Sequence, residues 1–226
     1  MAAREFQMLH SLDIRPSEGR GFGLFATANI PAKTIICQEA PTFYAPAKIL
    51  TGTNEEKVNT FCDMYASARV SDRNRLNDHI WIPEHYERNK DLYNWFDRWL
   101  KKYMQANGSY QPEEPRTEMV EELIKAYTTF WTNASGTPDR GAAVYSTFAR
   151  ANHSCRPNAS WRYTDNAPYY LEMVTECDIP AGDEVTVSYD YFGRQKLKKR
   201  RERLASWGFV CKCEKCTEEE FALGRK

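Results

Sequence analysis

Four thiols carry the strongest chemical signal in this chain. Cys211, Cys213 and Cys216 form a Cys-x-Cys-x-x-Cys run near the C-terminus, and Cys155 lies far upstream. Four thiolates at metal–sulfur distances of about 2.3 Å close a structural, tetrahedral zinc site. Such a site contributes about 10–16 kcal/mol of apparent binding energy in small peptides, enough to order a tail with little core of its own. The tight spacing argues against three unrelated thiols, and no thioredoxin-like context surrounds it. The other cysteines, Cys37, Cys62 and Cys177, are read as small apolar residues.

Three further segments could do chemistry. Asn152-His153-Ser154-Cys155-Arg156-Pro157-Asn158 holds the upstream thiol. An Asn-His pair taken alone is more often a satisfied polar corner than a site. Gly182-Asp183-Glu184-Val185-Thr186-Val187-Ser188-Tyr189 is a turn feeding a strand that ends on a tyrosine, which by itself reads as a half-buried core aromatic. Gly19-Arg20-Gly21-Phe22-Gly23 allows close backbone approach. It lacks dinucleotide-binding spacing and no long helix follows it, so a Rossmann assignment is poor.

Taken in order, these pieces resemble a SET-domain protein-lysine methyltransferase with a post-SET zinc tail. Asn152 to Asn158 matches the N-H-S-C-x-P-N signature at every fixed position, and Gly182 to Tyr189 matches G-x-E-hydrophobic-x-hydrophobic-x-Tyr. The resemblance covers roughly residues 5–40 and 140–217 and is nearest to the SMYD type, the SET- and MYND-domain methyltransferases. The insertion offers only Cys62, His79 and His85 as ligands, far short of a MYND finger, and the C-terminal helical domain of that type is not expected in this sequence.

The resemblance implies S-adenosyl-L-methionine as cofactor, contacted by Arg20, Gly21, Phe22, Gly23, Asn152, His153, Tyr189 and Phe209. It implies one structural zinc ion on Cys155, Cys211, Cys213 and Cys216. Tyr189 is the implied catalytic residue; Tyr191 is its neighbouring rival. Trp207, Val187 and, with a gap in the alignment, Phe130 are the implied walls of a substrate channel. The small Val187 leaves room for more than one methyl. The expected partner is a lysine of a histone or other protein, in cytoplasm or nucleus. The alternative is a SET-like cofactor-binding protein turned to small-molecule chemistry, and a zinc-dependent interaction module is a third reading.

The elements that must position these residues follow from pattern. β-branched residues between turn signals predict short strands at Thr34–Gln38, Ala143–Tyr145, Tyr169–Val174 and Glu184–Ser188. From about 41 to 138 the periodicity is helical. Asn54 is the expected N-cap of one helix, Leu92, Trp95, Phe96, Trp99, Leu100 and Tyr103 stripe a second, and a third starts near Thr117 after a Pro/Glu break. Arg194–Leu204 is expected to be a basic helix with a solvated face. These elements make the fold class α+β with a large helical insertion, and the resemblance implies the rest: short curved sheets with a knot-like C-terminal crossing and a zinc-bound tail. Its segments are 1–40, 41–138, 139–193 and 194–226.

Bulk properties agree. At 226 residues and 42% hydrophobic, the chain can bury a real core. Lys+Arg and Asp+Glu both number 31, a formal net charge of +0, which argues against direct nucleic-acid readout. No apolar run has membrane-span length and the N-terminus lacks a secretory h-region. An odd count of 7 cysteines suits a reducing compartment better than a disulfide framework.

Overall fold

The computed structural model describes residues 7–8, 12–109, 112–189 and 195–224, which divide into two compact units. The first comprises residues 1–40 and 147–226, the second residues 41–146.

The first unit opens with β1 (Gln7–Met8), β2 (Leu12–Ser17), β3 (Gly21–Ala26) and β4 (Ile35–Glu39). The second unit follows as β5 (Phe43–Ala45), helices α1 (Lys48–Thr51), α2 (Asn54–Ser67), α3 (Val70–Asn77), α4 (Pro83–Asn89), α5 (Tyr93–Ala106) and α6 (Glu113–Asn133), then β6 (Ser135–Gly136) and β7 (Ala142–Val144). The chain returns to the first unit with β8 (Asn152–His153), β9 (Ala159–Tyr163), β10 (Leu171–Thr175), β11 (Glu184–Val187), α7 (Leu197–Leu204) and α8 (Glu214–Gly224).

The helical stripes form the core of the second unit. Phe96, Leu100 and Met104 of α5 are buried at four-residue steps against Val58, Phe61 and Cys62 of α2 and Val120, Ile124 and Phe130 of α6. Local chemistry differs from the sequence pattern at two helix starts. Thr53, not Asn54, caps α2, because its hydroxyl accepts the Glu56 N–H while Glu56 reaches back to the Thr53 N–H. α6 begins at Glu113 rather than Thr117, because Pro115 falls in the first turn, where its missing N–H costs nothing. β7 belongs to this unit as well, pairing antiparallel with β5 and β6.

Two four-stranded sheets make the first unit, in the orders β1-β4-β10-β9 and β2-β3-β11-β8. The second positions the site. β2 and β3 form a hairpin from Leu12↔Ala26 to Ser17↔Gly21, and β3 pairs antiparallel with β11. β11 then pairs in parallel with β8, Thr186 against Asn152 and Val187 against His153. The N-H-S-C segment therefore meets the C-terminal strand. This is the described contact of the knot-like crossing; residues 190–194, which carry Tyr191 and the first basic residue Arg194, lie outside the described residues. Alternation on β11 buries Val185 and Val187 and leaves Glu184 and Thr186 half-buried on the other face. Among the described residues no helix is long and apolar enough to cross a membrane.

Candidate functional site

Cys155 follows β8, Cys211 and Cys213 lie in the loop before α8, and Cys216 sits in its first turn. The four sulfurs come within 4.8 Å of one another. Cys155 Sγ is 3.9 Å from Cys211 Sγ and 3.6 Å from Cys216 Sγ. A tetrahedron with zinc–sulfur bonds of about 2.3 Å has sulfur–sulfur edges of about 3.8 Å, so both the donor set and the spacing fit zinc. Donors from outside the cluster favour thiolates. The Cys155 N–H donates to Cys213 Sγ at 3.4 Å, and the fully buried Arg200 donates to Cys216 Sγ at 3.4 Å and to Glu219 at 3.0 Å. Hydrogen bonds among the sulfurs hold Cys213 far below the usual thiol range and push Cys155 far above it.

The basic run on α7 is not simply a solvated face. Arg200 and Arg201 pair with Glu219 and Glu220 of α8, and Arg156 of the N-H-S-C segment pairs with Glu214 and Glu218. The pairs of Arg156 and Arg201, open to solvent, contribute little one by one, whereas the Arg200 guanidinium is fully buried. Here they add to the four cysteines in holding α8.

The parallel strands lead into an aromatic corner. Tyr189 lies just past the end of β11. Its ring is 5.2 Å from His153, 5.7 Å from Trp207 and 6.3 Å from Phe209, centroid to centroid. Gly208, in the left-handed region at φ 76°, reverses the chain between Trp207 and Phe209, so both half-buried rings face Tyr189. The Tyr189 hydroxyl donates to the Ala151 carbonyl at 3.1 Å. Burial pushes the phenol up to about 12, with Glu184 adding to the rise and Arg20 opposing it.

The phenol shift predicts a pH effect. The fold favours the neutral phenol, so its contribution is whole below pH 10.0 and is lost as pH rises towards about 12. Denaturation midpoints between these values should fall more steeply for the wild type than for Tyr189→Phe. Equal slopes would mean that Tyr189 titrates as a free tyrosine.

Beside the corner lies a polar rim. Arg20 forms an ion pair with Glu184. The Asn152 amide donates to Glu184 Oε1 at 2.7 Å and to the Phe22 carbonyl at 3.0 Å. Gly23 has to be glycine for this: a Cβ there would fall 2.2 Å from Glu184 Oε1 and 3.0 Å from Asn152 Nδ2. Phe22 stands 50% exposed on the rim, and nothing lies within 4 Å of the position a Gly21 Cβ would take. Asn158 stitches the motif to β11, accepting the Thr186 N–H and donating to the Glu184 carbonyl, each at 2.8 Å.

The structure thus gathers Arg20, Gly21, Phe22, Gly23, Asn152, His153, Tyr189, Trp207, Phe209 and the four cysteines within the first unit. Val187 is fully buried beneath them on β11. Phe130 lies in the core of the second unit, its ring against Phe61 and Trp131. Cys37 and Cys62 are buried as expected of small apolar residues, but Cys177 is exposed, in the bend after β10. Two residues of the site escaped sequence reasoning. Glu184 lay within the quoted strand motif, and its spacing from Arg20 and Asn152 exists only after folding. Trp161, whose indole donates to the Ser188 carbonyl at 3.1 Å, looks like any strand aromatic.

Comparison with known proteins agrees with this geometry. A family model described as SET domain matches residues 21–190. A SET domain-containing protein of Acanthamoeba polyphaga mimivirus is 27% identical over 207 residues, 87% of this chain and 74% of that protein. The histone-lysine N-methyltransferase SET5 of Meyerozyma guilliermondii is 33% identical over 79 residues, 34% of this chain and 16% of that protein. The protein-lysine N-trimethyltransferase SMYD5 of Gallus gallus is 34% identical over 79 residues, 34% of this chain and 19% of that protein. The matched part therefore spans most of the viral relative and less than a fifth of each enzyme.

Proposed function

The chain belongs to the SET-domain family, and from that premise we propose that it is an S-adenosylmethionine-dependent protein-lysine N-methyltransferase acting on a histone or another protein. The observation that carries this reading is the corner in which Tyr189 meets His153, Trp207 and Phe209 beside the Arg20–Gly23 rim.

The bound cofactor would supply an electrophilic methyl group on a sulfonium. The rim fits such a molecule: Arg20 is a cation for a carboxylate, Phe22 and Phe209 are apolar faces for a flat base, and Gly21 leaves the backbone open. Gly23, Asn152, His153 and Tyr189 would complete the contacts. One structural zinc ion on the four cysteines would hold Trp207 and Phe209 in place.

The protein's own task is alignment. Holding donor and acceptor in line contributes about 7–11 kcal/mol in well-oriented systems. Trp207 and Phe209 would shield the incoming lysine, and desolvation favours its neutral, nucleophilic form. The Tyr189 proton is committed to the Ala151 carbonyl, so the phenol oxygen presents lone pairs that orient the amine. Val187 is the remaining proposed channel residue, whereas Phe130 packs against Phe61 and Trp131 inside the other unit and is not proposed as a wall. With valine at 187 the product should carry more than one methyl; mass spectrometry finding only monomethyl-lysine at full turnover would refute this.

The test is transfer of a labelled methyl group from the cofactor to a mixed protein extract, with the small-molecule fraction counted separately. Label in protein, recovered as methyl-lysine after hydrolysis, is the expected result. Label confined to small molecules, or cofactor binding by calorimetry with no label transferred, would replace this reading with the small-molecule or the scaffold alternative.

A further inference from the structure

The peptide unit joining Ser188 to Tyr189 is held by side chains on both sides. On its carbonyl side the Trp161 indole N–H donates to Ser188 O at 3.1 Å. On its amide side the Tyr189 N–H donates to His153 Nδ1 at 3.1 Å. Among the described residues the parallel ladder ends at Val187↔His153, and one further backbone bond follows it, from Ser154 N–H to the Val187 carbonyl at 2.9 Å. A peptide beyond the end of a ladder swings freely unless something else takes its donor and acceptor. Here a tryptophan and a histidine do so, and the plane they set is the one from which the Tyr189 side chain departs.

The histidine has a second contact. Nδ1 accepts from a backbone amide, which can only donate, so Nδ1 carries no proton. The ring proton is therefore assigned to Nε2. Nε2 lies 3.3 Å from Cys155 Sγ, so the ring donates to a sulfur of the four-cysteine cluster. His153 is 4% exposed, too enclosed to turn towards water, and Trp161 is wedged between Phe148 and Tyr163 at ring distances of 5.3 and 5.4 Å. Neither ring can release its hold without disturbing its neighbours.

We propose that His153 and Trp161 are positioning residues that clamp the Ser188–Tyr189 peptide, and that the His153 ring couples the placement of Tyr189 to metal occupancy of the cysteine cluster. This assigns the ring of His153 a task beyond the cofactor contact proposed for that residue. It rests on the methyl-transfer reading only for what Tyr189 then does. The clamp itself is tested without turnover.

The experiment uses the full chain, zinc-loaded and labelled with 15N-tyrosine, with the Tyr189 amide resonance identified by its absence in Tyr189→Phe. Asparagine and glutamine divide the two functions of the ring. The oxygen of His153→Asn sits near the Nδ1 position and still accepts from Tyr189, whereas the amide nitrogen of His153→Gln sits near Nε2 and still donates to Cys155. His153→Gln should shift the Tyr189 amide and speed its hydrogen exchange about tenfold, as loss of one hydrogen bond does, while releasing zinc to a chelator at the wild-type rate. His153→Asn should do the reverse, keeping the resonance in place and releasing zinc faster by a similar factor. Trp161→Phe keeps the ring packing and should shift the same resonance with cofactor affinity unchanged. Stripping zinc from the wild type should move it as well, an arm that needs no variant to fold. A Tyr189 amide unmoved in His153→Gln and in stripped wild type, or wild-type zinc release from His153→Asn, would overturn the proposal. If the amide and zinc results hold while no protein is methylated, the clamp stands and the functional reading falls.

Discussion

Tyr189→Phe is expected to lower the rate of methyl transfer by about 10²–10³-fold, the range found when a single preorganised polar group is removed from a reacting centre. The ring would keep its packing against His153, Trp207 and Phe209, so the change deletes one oxygen rather than a wall. Its hydrogen bond to the Ala151 carbonyl would also be lost, leaving that carbonyl short of a partner at a cost of about 1–3 kcal/mol. The two effects separate by measurement. Cofactor affinity by calorimetry should stay within about twofold, thermal stability should fall by the amount of one buried hydrogen bond, and single-turnover labelling should show the large loss. A variant that methylates within a few-fold of the wild type would remove Tyr189 from the chemistry. The alignment argument would then have to rest on Trp207 and Phe209 alone.

Removing the metal should have the other large effect. Among the described residues the buried apolar side chains packed around the four cysteines are Leu197 and Leu204, with Trp207 and Phe209 partly buried against them. Two leucines contribute roughly 3–6 kcal/mol of burial, too little to order both α7 and α8 against backbone entropy of about 1–2 kcal/mol per residue. Metal ligation is the largest further contribution available to the tail. Chelation, or Cys216→Ala, should therefore melt the tail, withdraw Trp207 and Phe209 from Tyr189 and abolish turnover, while the helical unit of residues 41–146 keeps its far-ultraviolet signal. Thiol titration gives the sharpest reading of the chain's 7 cysteines. The zinc-loaded protein should expose one reactive thiol, Cys177; chelation should release the four of the cluster; and Cys37 and Cys62 should react only on global unfolding, since burial pushes Cys37 up to about 12 and Cys62 higher still. A metal-replete preparation without zinc, or cluster thiols that stay protected after chelation, would refute the closed site.

Local order was readable where one type of interaction dominates. The α5 stripe is periodic because one face packs: the structure buries Phe96 and Leu100 from it, adds Met104, which the stripe did not include, and leaves Tyr103 44% exposed. Helix starts were less readable, because a cap depends on one hydroxyl reaching one amide: Thr53 and Asn54 are both good caps by type, and only the reciprocal bond with Glu56 selects the first. The basic run on α7 was misjudged for a related reason. Its partners Glu219 and Glu220 lie on a helix whose docking depends on distant Cys155, so no local pattern announces the pairing.

Residue chemistry at fixed spacing is a covalent property of the chain, and it determined the ligand type, the motif order and the candidate tyrosine before any folding was considered. Contacts between segments that the backbone does not connect belong to the tertiary structure. It decided that Cys155 completes the cluster, that Glu184 fills the space left by Gly23, and that Trp161 and His153 grip opposite sides of one peptide. The reason is geometric: hydrogen bonds and sulfur–sulfur edges are set to within tenths of an ångström, and only the packed sheets β2-β3-β11-β8 and β1-β4-β10-β9 hold residues so far apart in sequence to that tolerance.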